Sequence, residues 1–288
     1  MAARRRGRGA SIIALALIVA VTIAAIVWVP RLWERYGDEY FASSRCTVTL
    51  DDRSDSKTAD QANNIGLIVA GSIRWDLPAR AATIAVATAI QESSLRNIDY
   101  GDRDSLGLFQ QRPSQGWGSE EEIMDPYYAT DRFYEALITI DGWEGMDVTD
   151  AAQAVQRSGF PLAYADHEEE GRLWASADTG HGGSVACDLP DPDAPTTARA
   201  FTERVNADFG EGEYTVEVIG TDDSDTVLAV TGSDARADAA LQEWAVTVAS
   251  YEAVTSAVSQ TDAWVRDGAE PASALDNGVR VTIRTQAE

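Results

Sequence analysis

The longest run of apolar residues lies near the start of the chain, from Ala10 to Val29, and contains no charged side chain. About 20 apolar residues suffice for a helix to cross the hydrocarbon core of a membrane. The bulky residues at 27–30 differ from the small residues that precede a signal-peptide cleavage site. The pattern therefore predicts one uncleaved transmembrane helix over residues 10–29. Arginines precede the run, so the positive-inside rule puts the N-terminus in the cytoplasm and the bulk of the chain outside the cell membrane.

Helical periodicity dominates the stretch that follows. Apolar positions from Ala62 to Ile73 recur at helical spacing and predict an amphipathic helix. Residues 81–90 contain no charged side chain, so we expect the next helix to be buried on all sides. Two further helices are predicted from the capping residues at their starts, which are Asp125 for one, and Thr149 or Asp150 for the other.

The pattern changes after a proline-rich acidic run, which has the composition of a linker. Beyond it, helical stretches alternate with a predicted hairpin and a late strand. The fold-class prediction is therefore an α domain and then a small α+β domain, preceded by one transmembrane helix. The predicted segments are a tail with its anchor (1–30), a stalk (31–55), the helical domain (56–187), the linker (188–197) and the α+β domain (198–288). Residues 51–58 are predicted to form a polar loop.

The charge of the chain excludes one class of partner. Its formal net charge is −24, and the only basic cluster is the arginine-rich N-terminus before the anchor. Nucleic-acid binding requires a basic surface that releases counterions from the phosphates. We therefore expect no nucleic-acid partner, and we interpret the acidity as a soluble, self-repelling surface.

The cysteine count predicts a disulfide and argues against a metal site. Cys46 and Cys187 are the only two cysteines, and an exported chain meets oxidising conditions, so we expect them to pair. Only two histidines are present, His167 and His181, and no His/Cys cluster accompanies them. The aspartates of loop 99–107 do not have the spacing of a calcium-binding loop. We expect no metal and no cofactor.

Glu92 is the residue that points to chemistry. It follows the uncharged helix at 81–90, and a carboxyl group at the end of a buried helix is poorly solvated. Desolvation raises the pKa of a carboxyl group, and a glutamic acid that keeps its proton near neutral pH is what a glycosidase requires as general acid. The alternative is an ordinary exposed glutamate at a helix end.

Four short motifs give the chain a family resemblance. Their residues are Glu92-Ser93, Gly107-Leu108-Phe109-Gln110, Ala154-Val155-Gln156 and Tyr164. In this order they resemble the ES, GLMQ and AYN motifs and the late tyrosine of soluble lytic transglycosylases and goose-type lysozymes. The wider sequence resembles lysozyme-like domains of actinobacterial membrane proteins over residues 56–178. The resemblance implies a lysozyme-like fold for the helical domain.

The resemblance also implies roles for individual residues. Glu92 would be the general acid and Ser93 would orient it; Gly107 would let the backbone approach the glycan. Gln110 and Gln111 would bind the saccharide, or else satisfy buried backbone groups. Gln156 stands where the family has asparagine, which puts the third motif in doubt, and Tyr164 would be a cleft wall or a core residue. Four other aromatic side chains could be sugar platforms or core residues: Trp117, Tyr127, Tyr128 and Trp143.

The expected function is that of a peptidoglycan lytic transglycosylase that cleaves the β-1,4 bond between MurNAc and GlcNAc. Its partners would be peptidoglycan glycan strands and the membrane, with an envelope protein as a candidate partner of residues 198–288. One alternative is a hydrolytic muramidase in which Asp102 or Asp104 positions water. The other is a non-catalytic glycan-binding or scaffolding module of an envelope or secretion complex.

Overall fold

Ser44 leads directly into a three-stranded antiparallel sheet with the order β2-β1-β3. The computed structural model describes residues 44–158, 162–221 and 224–285, so the predicted membrane span at 10–29 lies outside the described residues. None of the helices within those ranges combines the length and apolar character of a membrane-crossing segment. The strands of the sheet are β1 (Arg45–Leu50), β2 (Arg53–Thr58) and β3 (Ser184–Asp188).

The predicted polar loop at 51–58 is wrong, because residues 53–58 form β2 and pair with β1. This strand has no apolar side chain, so it carries none of the alternation that identifies a half-buried strand. Its charged residues are neutralised by tertiary contacts instead. Lys57 forms ion pairs with Asp55 and Glu170, and the indole of Trp174 donates a 2.7 Å hydrogen bond to Asp55.

The disulfide prediction is confirmed. Cys46 of β1 lies directly opposite Cys187 of β3 in the antiparallel register, and their sulfur atoms are bonded. The bond joins positions that are 141 residues apart in the chain. It therefore ties the first described strand to the end of the helical region.

Two helices that the apolar pattern predicted form the centre of the helical region. Helix α1 (Ala59–Arg74) begins with a capping box, in which Thr58 and Gln61 bond each other's backbone amides. Helix α2 (Ala79–Ser93) is buried at every position from 81 to 90, as its lack of charged residues predicted. The remaining helices of this region are α3 (Glu120–Met124), α4 (Pro126–Ile138), α5 (Val148–Gln156) and α6 (Glu168–Asp178).

The second sheet has five antiparallel strands in the order β4-β5-β8-β6-β7. Its elements, with the two helices of this region, are α7 (Ala198–Phe209), β4 (Thr215–Thr221), β5 (Asp225–Thr231), α8 (Ala235–Thr247), β6 (Val254–Val258), β7 (Ala263–Val265) and β8 (Val279–Arg284). Helix α8 packs against β6 and also against α1, α6 and β3. A Cβ atom on Gly66 of α1 would lie only 2.8 Å from Val248, so glycine permits this close approach.

The predicted fold class is wrong. The described residues from Ser44 onward form one compact α+β unit, with eight α-helices and both antiparallel sheets, rather than an all-helical lysozyme-like domain followed by a small α+β domain. The three-stranded sheet escaped prediction because β2 is wholly polar and β3 is short. The shared packing was missed because periodicity identifies the apolar face of α8 but not the elements that cover that face.

Candidate active site

Glu92 is the penultimate residue of α2 and lies on the wall of an open cleft. Immediately after the helix, Ser94 and Leu95 both adopt left-handed backbone conformations, with φ of 54° and 59°. Leu95 is fully buried, which fixes this reversal of the chain. The carboxyl group thus sits where a buried helix ends, partly removed from water.

Two side chains from distant parts of the sequence contact the Glu92 carboxyl group. The hydroxyl of Tyr164 donates a 2.6 Å hydrogen bond to Oε1, and Gln156 also hydrogen-bonds the carboxyl group. Burial raises the pKa of Glu92, whereas both hydrogen bonds lower it, and the burial effect is the largest of the three. The group therefore keeps its proton to a higher pH than a free glutamic acid does.

Tyr164 lies behind Glu92 rather than on the cleft surface. It belongs to a short 3-10 helix at Ala163–His167, and only 1% of its surface is exposed. Burial strongly raises the pKa of its phenol, so the hydroxyl stays protonated and acts as a donor to the carboxylate. Its contact with Glu92 gives this tyrosine a positioning role.

Gln156 connects the third motif to the second. It ends α5 and lines the cleft, and its Nε2 donates a 2.7 Å hydrogen bond to the carbonyl of Phe109. The phenyl ring of Phe109 is buried and stacks on Phe133 with 4.7 Å between ring centroids. The amide of Gln156 is thereby held beside Glu92 by a residue that is itself anchored in the core.

Gln110 lines the cleft because its neighbours in the motif turn inward. Leu108 and Phe109 are fully buried, and Gln110 adopts a φ of 47°. Its Nε2 donates to the carbonyls of Tyr100 and Gly107 at 3.3 Å. Gln110 therefore both satisfies backbone carbonyl groups and lines the cleft.

Three residues of the predicted site support the cleft from behind. The Ser93 hydroxyl donates to the Leu108 carbonyl at 2.7 Å, joining the end of α2 to the second motif. Gln111 is buried and donates to a backbone carbonyl of α4 at 2.9 Å. Gly107 has a φ of 75°, and a Cβ atom there would lie 2.7 Å from the carbonyl of Ile123. Glycine is required at this position because the backbone of Ile123 packs so closely against it.

The cleft has a volume of about 660 Å³. Of the four candidate aromatic platforms, only Trp117 belongs to its lining. Trp143 is buried, Tyr128 donates its hydroxyl to the backbone carbonyl of Trp117, and Tyr127 donates its hydroxyl to Asp208. Trp117 is therefore the one of these four side chains that could contact a ligand in the cleft.

The two candidate aspartates have different surroundings. Asp104 accepts hydrogen bonds from the backbone amide of Ser114 at 2.8 Å and from Arg112 Nε at 2.7 Å. The side chain and the backbone of Ser114, and then Arg112, hold the pKa of the Asp104 carboxyl group well below its usual range. Asp102 lines the cleft, its side chain is 91% exposed, and one of its carboxylate oxygens lies 3.7 Å from Arg103 Nε. Asp104 is therefore committed to fixing Arg112, whereas Asp102 faces solvent.

Sequence reasoning overlooked the arginines of the cleft, which are Arg103, Arg112, Arg132 and Arg157. Their positive charge was the signal that could have found them. Two of them, Arg103 and Arg112, lie in the loop that carries the second motif, in a chain whose net charge is −24. Within the residues that the structure describes, no group of three or more His, Cys, Asp or Glu side chains could hold a metal ion.

Comparisons of the chain with protein-family models and with curated proteins find no match. The chemistry open to the cleft follows from its own geometry. That geometry combines one partly buried acid, two side chains that orient it, an amide-lined floor and an arginine-rich wall. Such a site can deliver a proton to a bound polar substrate.

Proposed function

We propose that this protein is a lytic transglycosylase that cleaves the β-1,4 bond between MurNAc and GlcNAc in peptidoglycan. The observation that carries the proposal is the Glu92 carboxyl group, which faces the cleft with a raised pKa and is oriented by Tyr164 and Gln156. The resemblance of the surrounding motifs to lytic transglycosylases supports the same activity. An anchor at residues 10–29 would hold the enzyme at the cell membrane with its cleft outside.

Glu92 performs both proton transfers in the proposed reaction. As an acid it protonates the glycosidic oxygen of the departing GlcNAc, while the muramyl acetamido oxygen attacks the anomeric carbon and forms a cyclic intermediate. Glu92, now a carboxylate, then removes the proton from the muramyl 6-hydroxyl. That oxygen attacks the same carbon and closes a 1,6-anhydro ring, which regenerates the acetamido group and the protonated acid. This reaction consumes no water and uses no cofactor.

This mechanism requires only one enzyme carboxyl group, because the substrate supplies the nucleophile. Standard retaining and inverting glycosidases need a second carboxylate across the sugar. Asp104 is a poor base, because a carboxyl group with a lowered pKa accepts a proton only weakly. Its oxygens are also engaged in hydrogen bonds from Arg112 and Ser114. The arrangement around Asp104 supports transglycosylation over hydrolysis.

A hydrolytic muramidase remains the second candidate because Asp102 lines the cleft and is exposed. A carboxylate in that position could orient a water molecule, in which case the products would carry reducing ends.

The test is to digest purified peptidoglycan with the full-length protein in detergent and to analyse the fragments by mass spectrometry. Transglycosylation predicts 1,6-anhydromuramyl ends, which are about 18 mass units lighter than hydrolytic ends because no water is added. Reducing ends alone would support the muramidase. Glycan binding without any cleavage, unchanged in Glu92→Gln, would support a binding or scaffolding role within an envelope complex.

A further inference from the structure

The charge of the cleft is opposite to the charge of the chain. Four arginines line it against two carboxyl groups, Glu92 and Asp102. The whole chain, by contrast, contains 47 acidic residues and 23 basic ones. An acidic protein repels anionic ligands. Positively charged side chains that line its cleft therefore indicate that the ligand bound there is negatively charged.

Three of these arginines already have a carboxylate partner. Arg112 binds Asp104, Arg103 lies 3.7 Å from Asp102, and Arg132 binds Glu135. Arg157 differs, because in the described part of the chain no carboxylate lies within ion-pair distance of it. Its exposed guanidinium group is thus available to a ligand in the cleft.

The backbone of Arg157 provides an independent observation. The residue caps the C-terminus of α5 with a φ of 52°, a left-handed conformation that glycine adopts without cost at this position. A residue with a Cβ atom is strained in that conformation, because the Cβ atom comes close to the following carbonyl oxygen. Arg157 follows Gln156 directly in the chain, and both residues line the same cleft as Glu92, so the left-handed position places an arginine in the cleft of the candidate acid.

We infer that the cleft takes a glycan that carries an anionic group, and that Arg157 binds this oxyanion in the same cleft as Glu92. The identity of the glycan rests on the function proposed above. A guanidinium group donates two parallel hydrogen bonds to a carboxylate or a phosphate, which makes it a strong and directional ligand. On a peptidoglycan strand the oxyanion is either a carboxylate of the acidic stem peptide or a phosphodiester of an attached polymer.

The test measures binding of wall glycan to full-length protein in the Glu92→Gln background, where cleavage is removed. Three probes are compared: intact wall, wall whose carboxylates have been converted to methylamides, and wall whose phosphodiesters have been removed with hydrofluoric acid. Arg157→Gln should weaken binding to intact wall about tenfold, as expected for loss of a charge-assisted pair. The methylamide arm identifies carboxylate as the source if it abolishes the effect, and the hydrofluoric-acid arm identifies phosphate.

Two further variants separate ligand binding from structure. Arg157→Gly relieves the left-handed strain, so its melting temperature should stay level or rise while binding falls as far as in Arg157→Gln. Arg199→Gln removes an exposed arginine of α7 that lies outside the cleft lining, and it should bind like the parent. Binding by all three variants equal to that of the parent, or a loss in Arg157→Gln that is equally large on all three walls, would overturn the inference.

Failure of the anion-site inference is distinguishable from failure of the proposed function. If wild-type protein leaves peptidoglycan uncut while the loss in Arg157→Gln still depends on substrate charge, the transglycosylase proposal fails and the anion site stands. If the wild type cleaves but Arg157→Gln binds intact wall like Arg199→Gln, the anion site alone is wrong.

Discussion

The hydroxyl of Tyr164 lies 2.6 Å from Oε1 of Glu92, although the two residues are 72 positions apart in the chain. The bond opposes the effect of burial, because it stabilises the charged carboxylate and so lowers the pKa of Glu92. Glu92 therefore has an acidity set by two opposing contributions, desolvation and hydrogen bonding. Each contribution can be removed separately.

The first prediction concerns Tyr164→Phe. Loss of the hydrogen bond should raise the pKa of Glu92, so the descending limb of the pH–rate profile should move to higher pH. The maximal rate should fall about tenfold, because a hydrogen bond to a charged group is worth about 1.5 kcal/mol or more. Turnover of soluble glycan strands from pH 4 to 9 would measure both effects. Tyr251→Phe, which removes a hydroxyl bound to Asp60, is the matched control and should change neither.

The second prediction is that Glu92→Gln removes cleavage while preserving binding and fold. General acid catalysis contributes about 10²–10⁴-fold to a rate, and the amide cannot donate the required proton. Zymography and fragment analysis would detect the loss. Asp102→Asn should keep most of the activity if the substrate supplies the nucleophile. A loss in Asp102→Asn as large as that in Glu92→Gln would instead favour the muramidase.

The third prediction is that the protein loses stability as the pH rises from about 4 towards 8. Asp178 and Glu243 are buried where α6 and α8 meet, and burial raises their pKa values to about 7 and about 8. Their ordinary values lie near 4, so between these limits the folded state holds more protons than the unfolded state. Raising the pH therefore favours unfolding.

Melting temperatures measured from pH 5 to 8.5 test this prediction, with Asp178→Asn as the comparison. The amide keeps the hydrogen bond that Thr247 donates at 3.0 Å but removes the charge. Asp178→Asn should gain stability relative to the wild type as the pH rises, and the difference should be smallest near pH 5. A difference between the two proteins that stays constant with pH would contradict the assigned pKa.

The fourth prediction concerns the disulfide between Cys46 and Cys187. Replacing both cysteines with alanine should lower the free energy of unfolding by up to about 4–5 kcal/mol, the chain-entropy value for a loop of this length. Urea denaturation of both proteins would measure the loss. Circular dichroism should stay native in the variant, because the ladder between β1 and β3 does not depend on the sulfur atoms. An unchanged unfolding midpoint would show that the cross-link adds no stability.

Local sequence patterns were sufficient to predict the helices that have an apolar face. Helix α2 was predicted from ten uncharged residues, and Glu92 at its end was identified as a poorly solvated acid for the same reason. The disulfide was predicted from the presence of two cysteines and from the expectation that the chain is exported, and the pairing is confirmed. Each of these inferences depends on local composition, which needs no knowledge of where the distant chain lies.

The residues that surround that acid could not be predicted locally, because they come from distant parts of the chain. Tyr164 was left open between cleft wall and core, and its hydrogen bond to Glu92 makes it a buried donor. Ser93 and Gly107 turned out to brace the cleft from behind, because their contacts are with the backbone of Leu108 and Ile123. A motif specifies residue types in order, whereas side-chain direction depends on packing between elements.

The polar strand β2 and the arginine wall of the cleft have the same physical cause for escaping prediction. Lys57 is neutralised by Glu170 of α6, and the arginines gather from separate parts of the chain, so neither feature produces a periodic apolar signal. The packing of the helical region against the C-terminal region likewise joins distant elements, since α8 contacts α1, α6 and β3. Long-range contacts of this kind arise when the whole chain folds, and no local window of sequence contains both partners.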